Sequence, residues 1–198
     1  MDTDGIDEPS ARQRIFEAAI TEFASFGFAG ARINRIAERA HANKQLIYRY
    51  FGNKQDLYAT VMKEMVIRTQ RERDARPGVA GIHRLASFAS AWARMLAWEG
   101  LDLSNEPAAR EERQQSVTRQ IEVVVALQRS GAIASDLDPR FVLATTYAVQ
   151  TMPAILPQLT EFCFGEELVS SGQLPELWGE FLERLITDDM SPAQRAES

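Results

Sequence analysis

Apolar residues in this chain recur at helical rather than strand spacing. Phe16, Ala19, Ile20 and Phe23 follow i, i+3, i+4, i+7 and predict a first helix with one buried face. Ser10 and Gln13 stand at capping-box spacing at its start, and Gly27 is suited to stop it. Ile33, Ile36, Ala37 and Ala40 repeat the spacing over a short second helix, and a turn follows at His41-Ala42. Asn43 is placed to cap a third helix, Lys44 to Tyr50, because its short side chain can accept a free N–H of the first turn. Ile47 and Phe51 face inward there, and Gly52 ends it. Asn53 caps a fourth helix, in which Asp56 suits the positive dipole end and Leu57, Val61 and Met65 form a stripe. Pro77-Gly78 ends that helix and marks the expected boundary between two parts of the chain.

The remainder predicts longer helices. Residues 82–99 are apolar and aromatic on most faces, with Gly100 closing them. Asn105 is expected to cap the next helix, with Glu106 and Pro107 in its first turn and Val117, Ile121, Val124 and Val125 along it, as far as Gly131. Asp138-Pro139 starts another, which Pro153 and Pro157 should kink or break. A last helix from about Pro175 carries Leu177, Trp178, Phe181, Leu182, Leu185 and Ile186, followed by a polar tail. No strand and no internal repeat is apparent, so the expected fold class is all-α.

Length and composition narrow this picture. The 198 residues, 45% hydrophobic, suffice for one compact domain or two small ones. Apolar runs are broken well short of the ~20 residues that cross a bilayer. The acidic start (Asp2, Asp4, Asp7, Glu8) does not read as a signal peptide. A soluble, cytoplasmic protein with no membrane partner is expected. One cysteine and two histidines predict neither an internal disulfide nor a structural zinc site.

Charge changes the picture more. The net of −6 argues against nucleic acid until it is divided along the chain. Residues 10–55 hold eight Arg or Lys against three Glu, a surplus of five; residues 1–9 carry four acids, which leaves −7 for residues 56–198. A basic segment precedes an acidic body, and DNA requires only a local cationic surface. There is no Gly-rich phosphate loop, no Cys–His pair in a recognisable context and no metal cluster. No enzyme, catalytic residue or cofactor is therefore expected.

The basic segment coincides with two short helices joined by a tight turn. That arrangement lets the second helix enter a major groove roughly 12 Å wide. Its outward residues are Lys44, Gln45, Leu46, Tyr48 and Arg49. Lys44 and Arg49 suit phosphate or guanine, and Gln45 can pair with adenine. Tyr48 and Tyr50 offer ring and hydroxyl to the sugar-phosphate backbone, and Lys54 stands at a helix start where a phosphate would pass. Tyr50 can instead be core, Leu46 can touch a thymine methyl or simply pack, and Arg35 and Arg39 are either contacts or solvated charges. With Arg32 and Asn43, the candidate DNA-binding set is Arg32, Asn43, Lys44, Gln45, Leu46, Tyr48, Arg49, Tyr50 and Lys54.

The run Ile36-Ala37-Glu38-Arg39-Ala40 and the stretch from Lys44 to Tyr58, with Tyr-x-Tyr-Phe-x-x-Lys-x-x-Leu at residues 48–57, resemble the signature of the TetR (tetracycline-repressor) family. The upstream Ala18-Ala19 to Phe23 and Phe26-Gly27-Phe28 extend the likeness over about residues 10–65. Two positions depart from the pattern: His41 stands where the family usually has glycine, and Arg32 where it often has Ser or Thr. The resemblance implies an N-terminal three-helix helix-turn-helix domain (residues 10–55) and a larger helical ligand-binding and dimerisation domain (56–188); the polar ends at 1–9 and 189–198 are expected to be flexible tails. It implies a homodimer on a near-palindromic operator, released by a small, largely apolar effector. It suggests Phe88, Trp92, Met95 and Leu96 as one wall of an effector cavity faced by Tyr147, Gln150 and Thr151; plain helix core is the other reading. Trp178, Phe181 and Leu185 are candidates for the dimer interface or for packing within one chain. Cys163 is expected to be an inert buried thiol, and His41 and His83 polar surface. The rival to a regulator is a helical protein-interaction module with a degenerate DNA-binding head.

Overall fold

The computed structural model describes residues 10–75, 78, 89–102 and 106–186, all of whose regular structure is helical. The helices are α1 (Ala11–Gly30), α2 (Ile33–Arg39), α3 (Lys44–Phe51), α4 (Lys54–Asp74), α5 (Ala89–Leu101), α6 (Arg110–Arg129), α7 (Pro139–Ile155), α8 (Pro157–Phe164), α9 (Glu166–Ser170) and α10 (Leu174–Ile186). The expected boundary at Pro77, the helix start at 82–88, the cap at Asn105 and both tails lie outside the described residues. Two compact units emerge: Met1–Glu64 with Arg94–Ala109, and Met65–Ala93 with Arg110–Ser198. Helices α4 and α5 contribute residues to both.

The first unit is organised by α1. Ser10 caps it, its Oγ accepting the Gln13 N–H at 3.2 Å. Ile15, Phe16, Ala19, Ile20 and Phe23 are buried on one face, and Ile36, Ile47, Phe51, Leu57, Val61 and Met62 complete the same core. Phe23 meets Tyr58 edge-on at 4.9 Å between ring centroids, and Phe28 meets the same ring at 5.2 Å. Gly27 breaks α1 instead of ending it. At φ 64° and ψ 179° it interrupts the helix, which resumes to Gly30. The Ala24 carbonyl is taken up by Arg94 Nε at 3.1 Å and the Trp98 indole N–H at 3.2 Å. A side chain at Gly27 would suffer twice, from the positive φ and from the Trp98 ring 3.1 Å from an added Cβ.

In the second unit Val124 of α6, Ile133, Val142 of α7 and Ile186 of α10 form a buried cluster, with Leu127 and Leu137 against it. The Ala134 N–H donates to the Ile186 carbonyl at 2.8 Å, tying the end of α10 to the α6–α7 turn. Helix α7 starts as expected, with Asp138 accepting the Arg140 N–H at 2.8 Å and Pro139 in the first position. Pro153 is accommodated within α7. The break comes at Leu156 (φ −125°, ψ 59°), because Pro157 disfavours helical geometry in the residue before it and then opens α8.

One helix start differs from the expectation. Glu106 and Pro107 precede α6 and are not in its first turn, which begins at Arg110. Ala109 has a φ of 53°, which no helix accepts, and the Ala108 N–H is bound by Glu99 Oε1 at 2.9 Å. Glu111 and Glu112 then supply the acidic first turn.

Candidate nucleic-acid interface

Helix α3 is built by its two ends. The Asn43 Oδ1 accepts the Leu46 N–H at 2.8 Å, and Gly52 closes the helix at φ 75°. Asn53 begins α4 immediately. Its Oδ1 accepts the N–H groups of Gln55 (2.8 Å) and Asp56 (3.0 Å), while Asp56 Oδ2 accepts the Asn53 N–H (3.1 Å). This closed reciprocal cap gives Asp56 a direct hydrogen-bonding role beyond the dipole effect expected of it. Between the caps, Ile47 and Phe51 are buried one turn apart and pin α3 to the core. Lys44, Gln45, Tyr48 and Arg49 are exposed, and Leu46 is half-buried. Tyr50 is 39% exposed against 6% for Phe51, so Phe51 is the inward ring of the pair. The Arg49 guanidinium lies 5.2 Å from the Tyr50 ring centroid.

The turn before α3 holds His41 at φ 48°, where this chain lacks the usual glycine. A non-glycine residue in the left-handed region is tolerated at a modest cost. Arg32 occupies the cap position of α2 without a side-chain capping bond, and its side chain is exposed.

Sequence reasoning missed the main electrostatic feature. Glu22 of α1 is fully buried. Its Oε1 accepts the Arg32 backbone N–H at 2.9 Å and Arg35 Nε at 2.7 Å, and forms an ion pair with the second Arg35 nitrogen at 2.6 Å. Arg35 also donates to the Gly30 carbonyl at 2.8 Å and lies over the Phe26 ring at 4.2 Å. Arg35 is thus neither a solvated charge nor an exposed contact: it is the ion-pair partner of a carboxylate buried in the core. The signal was present, since Glu22 falls one turn after Ala18 on the buried stripe of α1.

Two further cations are partly committed. Arg14 Nε donates to the Ala40 carbonyl at the end of α2 at 3.2 Å. Lys54 is half-buried, 4.8 Å from the Phe28 ring centroid, with Nζ 3.4 Å from the Ala29 carbonyl. Burial lowers the pKa of its ammonium from the ordinary value, and the Glu22 carboxylate partly offsets this. Arg12, Arg32, Arg39, Lys44 and Arg49 remain as exposed cations. The surface can therefore attract a polyanion, while α3 presents amide, phenol and guanidinium groups of the kinds that read base edges and phosphates.

Comparison with known proteins agrees with this geometry. Residues 15–61 match the model for bacterial regulatory proteins of the tetR family, and residues 79–168 match that for the tetracyclin repressor-like C-terminal domain. The HTH-type transcriptional repressor SCO4008 of Streptomyces coelicolor is 36% identical over 165 residues, 80% of this chain and 86% of that protein. This chain belongs to the TetR family. As a TetR-family member it is a DNA-binding transcriptional regulator. The HTH-type transcriptional repressor NicS of Pseudomonas putida is 39% identical over 54 residues, 27% of this chain and 26% of its own length. Among solved structures, the transcriptional regulator SCO4942 of Streptomyces coelicolor superposes with a TM-score of 0.68 at 26% identity, covering 89% of this chain and 98% of that one.

The other candidate residues of this TetR-family chain fall as follows. Trp92 is buried and Tyr147, Gln150 and Thr151 are half-buried in the second unit; Met95 (buried) and Leu96 (half-buried) belong to the first; Phe88 lies outside the described residues. Trp178 packs edge-on against Phe164 (5.2 Å) and Phe181 (5.8 Å), and its indole N–H is buried without a partner. Phe181 and Leu185 are exposed. Cys163, expected to be buried, is exposed: α8 turns it to the solvent side along with Phe162. Among the described residues no helix is long and apolar enough to cross a membrane, and no group of three or more His, Cys, Asp or Glu is placed to hold a metal ion.

Proposed function

We propose that this regulator is a ligand-responsive repressor that binds a near-palindromic operator as a homodimer in the cytoplasm. The observation that carries the reading is α3, pinned by Ile47 and Phe51 and presenting Lys44, Gln45, Tyr48 and Arg49 on its exposed side. Lys44 and Gln45 address base edges, Tyr48 and Arg49 address bases or phosphates, and Arg32, Asn43, Leu46, Tyr50 and Lys54 flank them. One such helix reads too few base pairs to find a site in a genome, so two-fold symmetry and a palindromic site go together. Repression is supported by the similarity to SCO4008, itself a transcriptional repressor. An effector of small, largely apolar character binds the second unit near Trp92, Tyr147, Gln150 and Thr151. It acts by preferring the conformation that does not bind DNA, and α4 carries the change to the reading head.

Selection of bound sequences from random duplex DNA tests this reading, and a two-fold-related consensus is the expected result. The paired substitutions Lys44→Ala and Arg49→Ala should weaken operator binding by about thirtyfold or more, at roughly 1–3 kcal/mol for each base-edge interaction removed. The salt dependence should become shallower by about one for each phosphate no longer neutralised. Undiminished specific binding by the double variant would remove α3 from the reading role. Salt-sensitive binding without a consensus would favour a degenerate head.

A further inference from the structure

Arg73, near the end of α4 in the second unit, is a half-buried cation among neutral partners. One guanidinium nitrogen donates to the Tyr147 hydroxyl at 3.3 Å, and the guanidinium carbon lies 5.7 Å from the centroid of the same ring. The Tyr147 hydroxyl donates in turn to Gln120 Oε1 at 3.1 Å. Gln120 Nε2 donates to the carbonyl and the hydroxyl of buried Ser116, at 3.1 and 3.2 Å. Helices α4, α6 and α7 thus bring a guanidinium, a phenol and an amide to one place. Among the described residues no carboxylate pairs with Arg73.

A guanidinium offers five N–H donors in a planar fork that matches an oxyanion. Here one of them is bound within the protein, to a neutral oxygen. Withdrawing a cation from water without an anion is unfavourable, and a phenol compensates little of the loss. A favourable helix-dipole interaction accounts for a basic last turn, which Arg71 also supplies from an exposed position, but it does not account for turning Arg73 towards Tyr147. The chain Arg73–Tyr147–Gln120–Ser116 is also ordered in one sense: each group donates to the next, so the outermost member, Arg73, keeps its donors for a further acceptor.

We infer that Arg73, oriented by Tyr147 and Gln120, is the anion-binding point of the effector site. The effector is then an amphipathic molecule with an apolar body and one oxyanion group, a carboxylate or a phosphate ester. This rests on the reading that the second unit binds an effector, and it adds one anionic group to the largely apolar molecule proposed there. Arg73 touches the ligand; Tyr147 and Gln120 are positioning residues.

The test compares ligands of matched apolar body and different head: decanoate, decyl phosphate, decanol and decyltrimethylammonium. Binding to the full-length protein is followed by intrinsic tryptophan fluorescence and by thermal shift. The two anionic probes should bind at least tenfold more tightly than decanol, and the cationic probe more weakly than decanol, because only the oxyanion brings an opposite charge and a bidentate acceptor to the guanidinium. The ratio of decanoate to decyl phosphate affinity distinguishes the two anionic sources. Arg73→Gln should bring the anionic probes down to the level of decanol, Arg73→Lys should restore part of the preference, and Tyr147→Phe should reduce it. Equal binding of decanol and the anions by the unaltered protein, a preference that survives Arg73→Gln, or no anionic probe bound at millimolar concentration would each overturn the assignment. Operator affinity without probe is measured alongside. Its absence in the unaltered protein would sink the repressor reading alone, while probe selectivity is read directly and decides the anion site.

Discussion

Glu22 shows how much one buried carboxylate can organise. It takes three donors on a single oxygen, while its second oxygen is buried without a partner. Through the Arg32 N–H and the Arg35 side chain it joins α1 to the start of α2, which precedes α3. Removing one member of such a pair strands the other, whereas replacing both by apolar groups need not destabilise. Arg35→Ala should therefore cost about 2–3 kcal/mol in urea unfolding, below the upper range for buried pairs because Arg35 keeps a third of its side chain in solvent. The double variant Glu22→Leu, Arg35→Met should recover most of that loss. Equal stability of Arg35→Ala and the unaltered protein would show that the pair contributes nothing. His41 is the converse case, a residue in a left-handed turn that no side-chain partner explains.

Among the elements, the helix starts are the best defined by local chemistry. Ser10, Asn43, Asn53 and Asp138 each accept a backbone N–H from the following turn, as their residue types and spacing indicate. Asp138 adds an ion pair with Arg140, and the hydrogen bonds from Arg140 lower its pKa from 3.8 to about 2. A carboxylate depressed in the folded state contributes stability that is complete above its unfolded pKa and lost as pH falls through the folded one. The cap of α7 should thus hold at pH 4 and weaken only towards pH 2, and an NMR titration of the Asp138 carboxyl should give a midpoint near 2. A midpoint at the ordinary value near 4 would mean that the Arg140 bonds do not persist in solution. The breaks were harder to place. Gly27 interrupts α1 and lets it resume because Arg94 and Trp98, about seventy residues away, bind the Ala24 carbonyl.

For the whole molecule, charge and apolar surface are segregated in sequence. The basic segment belongs to the first unit, and the acidic remainder carries broad apolar faces. On α10, Leu174, Leu182 and Ile186 are buried while Leu177, Phe181 and Leu185 are 42, 50 and 55% exposed. We propose that this second stripe, with Phe181 and Leu185 of the candidate interface on it, is where the homodimer forms. Phe181→Asp together with Leu185→Asp should yield a monomer in sedimentation velocity, with weakened operator binding and intact helical content. A dimer that survives both changes would place the interface elsewhere.

Periodicity, capping residues and turn residues act within a few positions of one another. The sequence by itself therefore determined the all-helical class, helix α3 with its inward Ile47 and Phe51, and most helix starts. The family was legible for the same reason, because its signature lies in short stretches close together in the chain, chiefly residues 36–40 and 44–58. Partner choice is not local. Only the tertiary structure decided that Glu22 is buried and claims Arg35, that Glu99 holds the turn before α6 and delays that helix to Arg110, that Cys163 faces solvent, and that Arg73 meets Tyr147. Each of these depends on which distant group can satisfy a charge or a hydrogen bond withdrawn from water, and that is settled only when helices far apart in the chain are packed together.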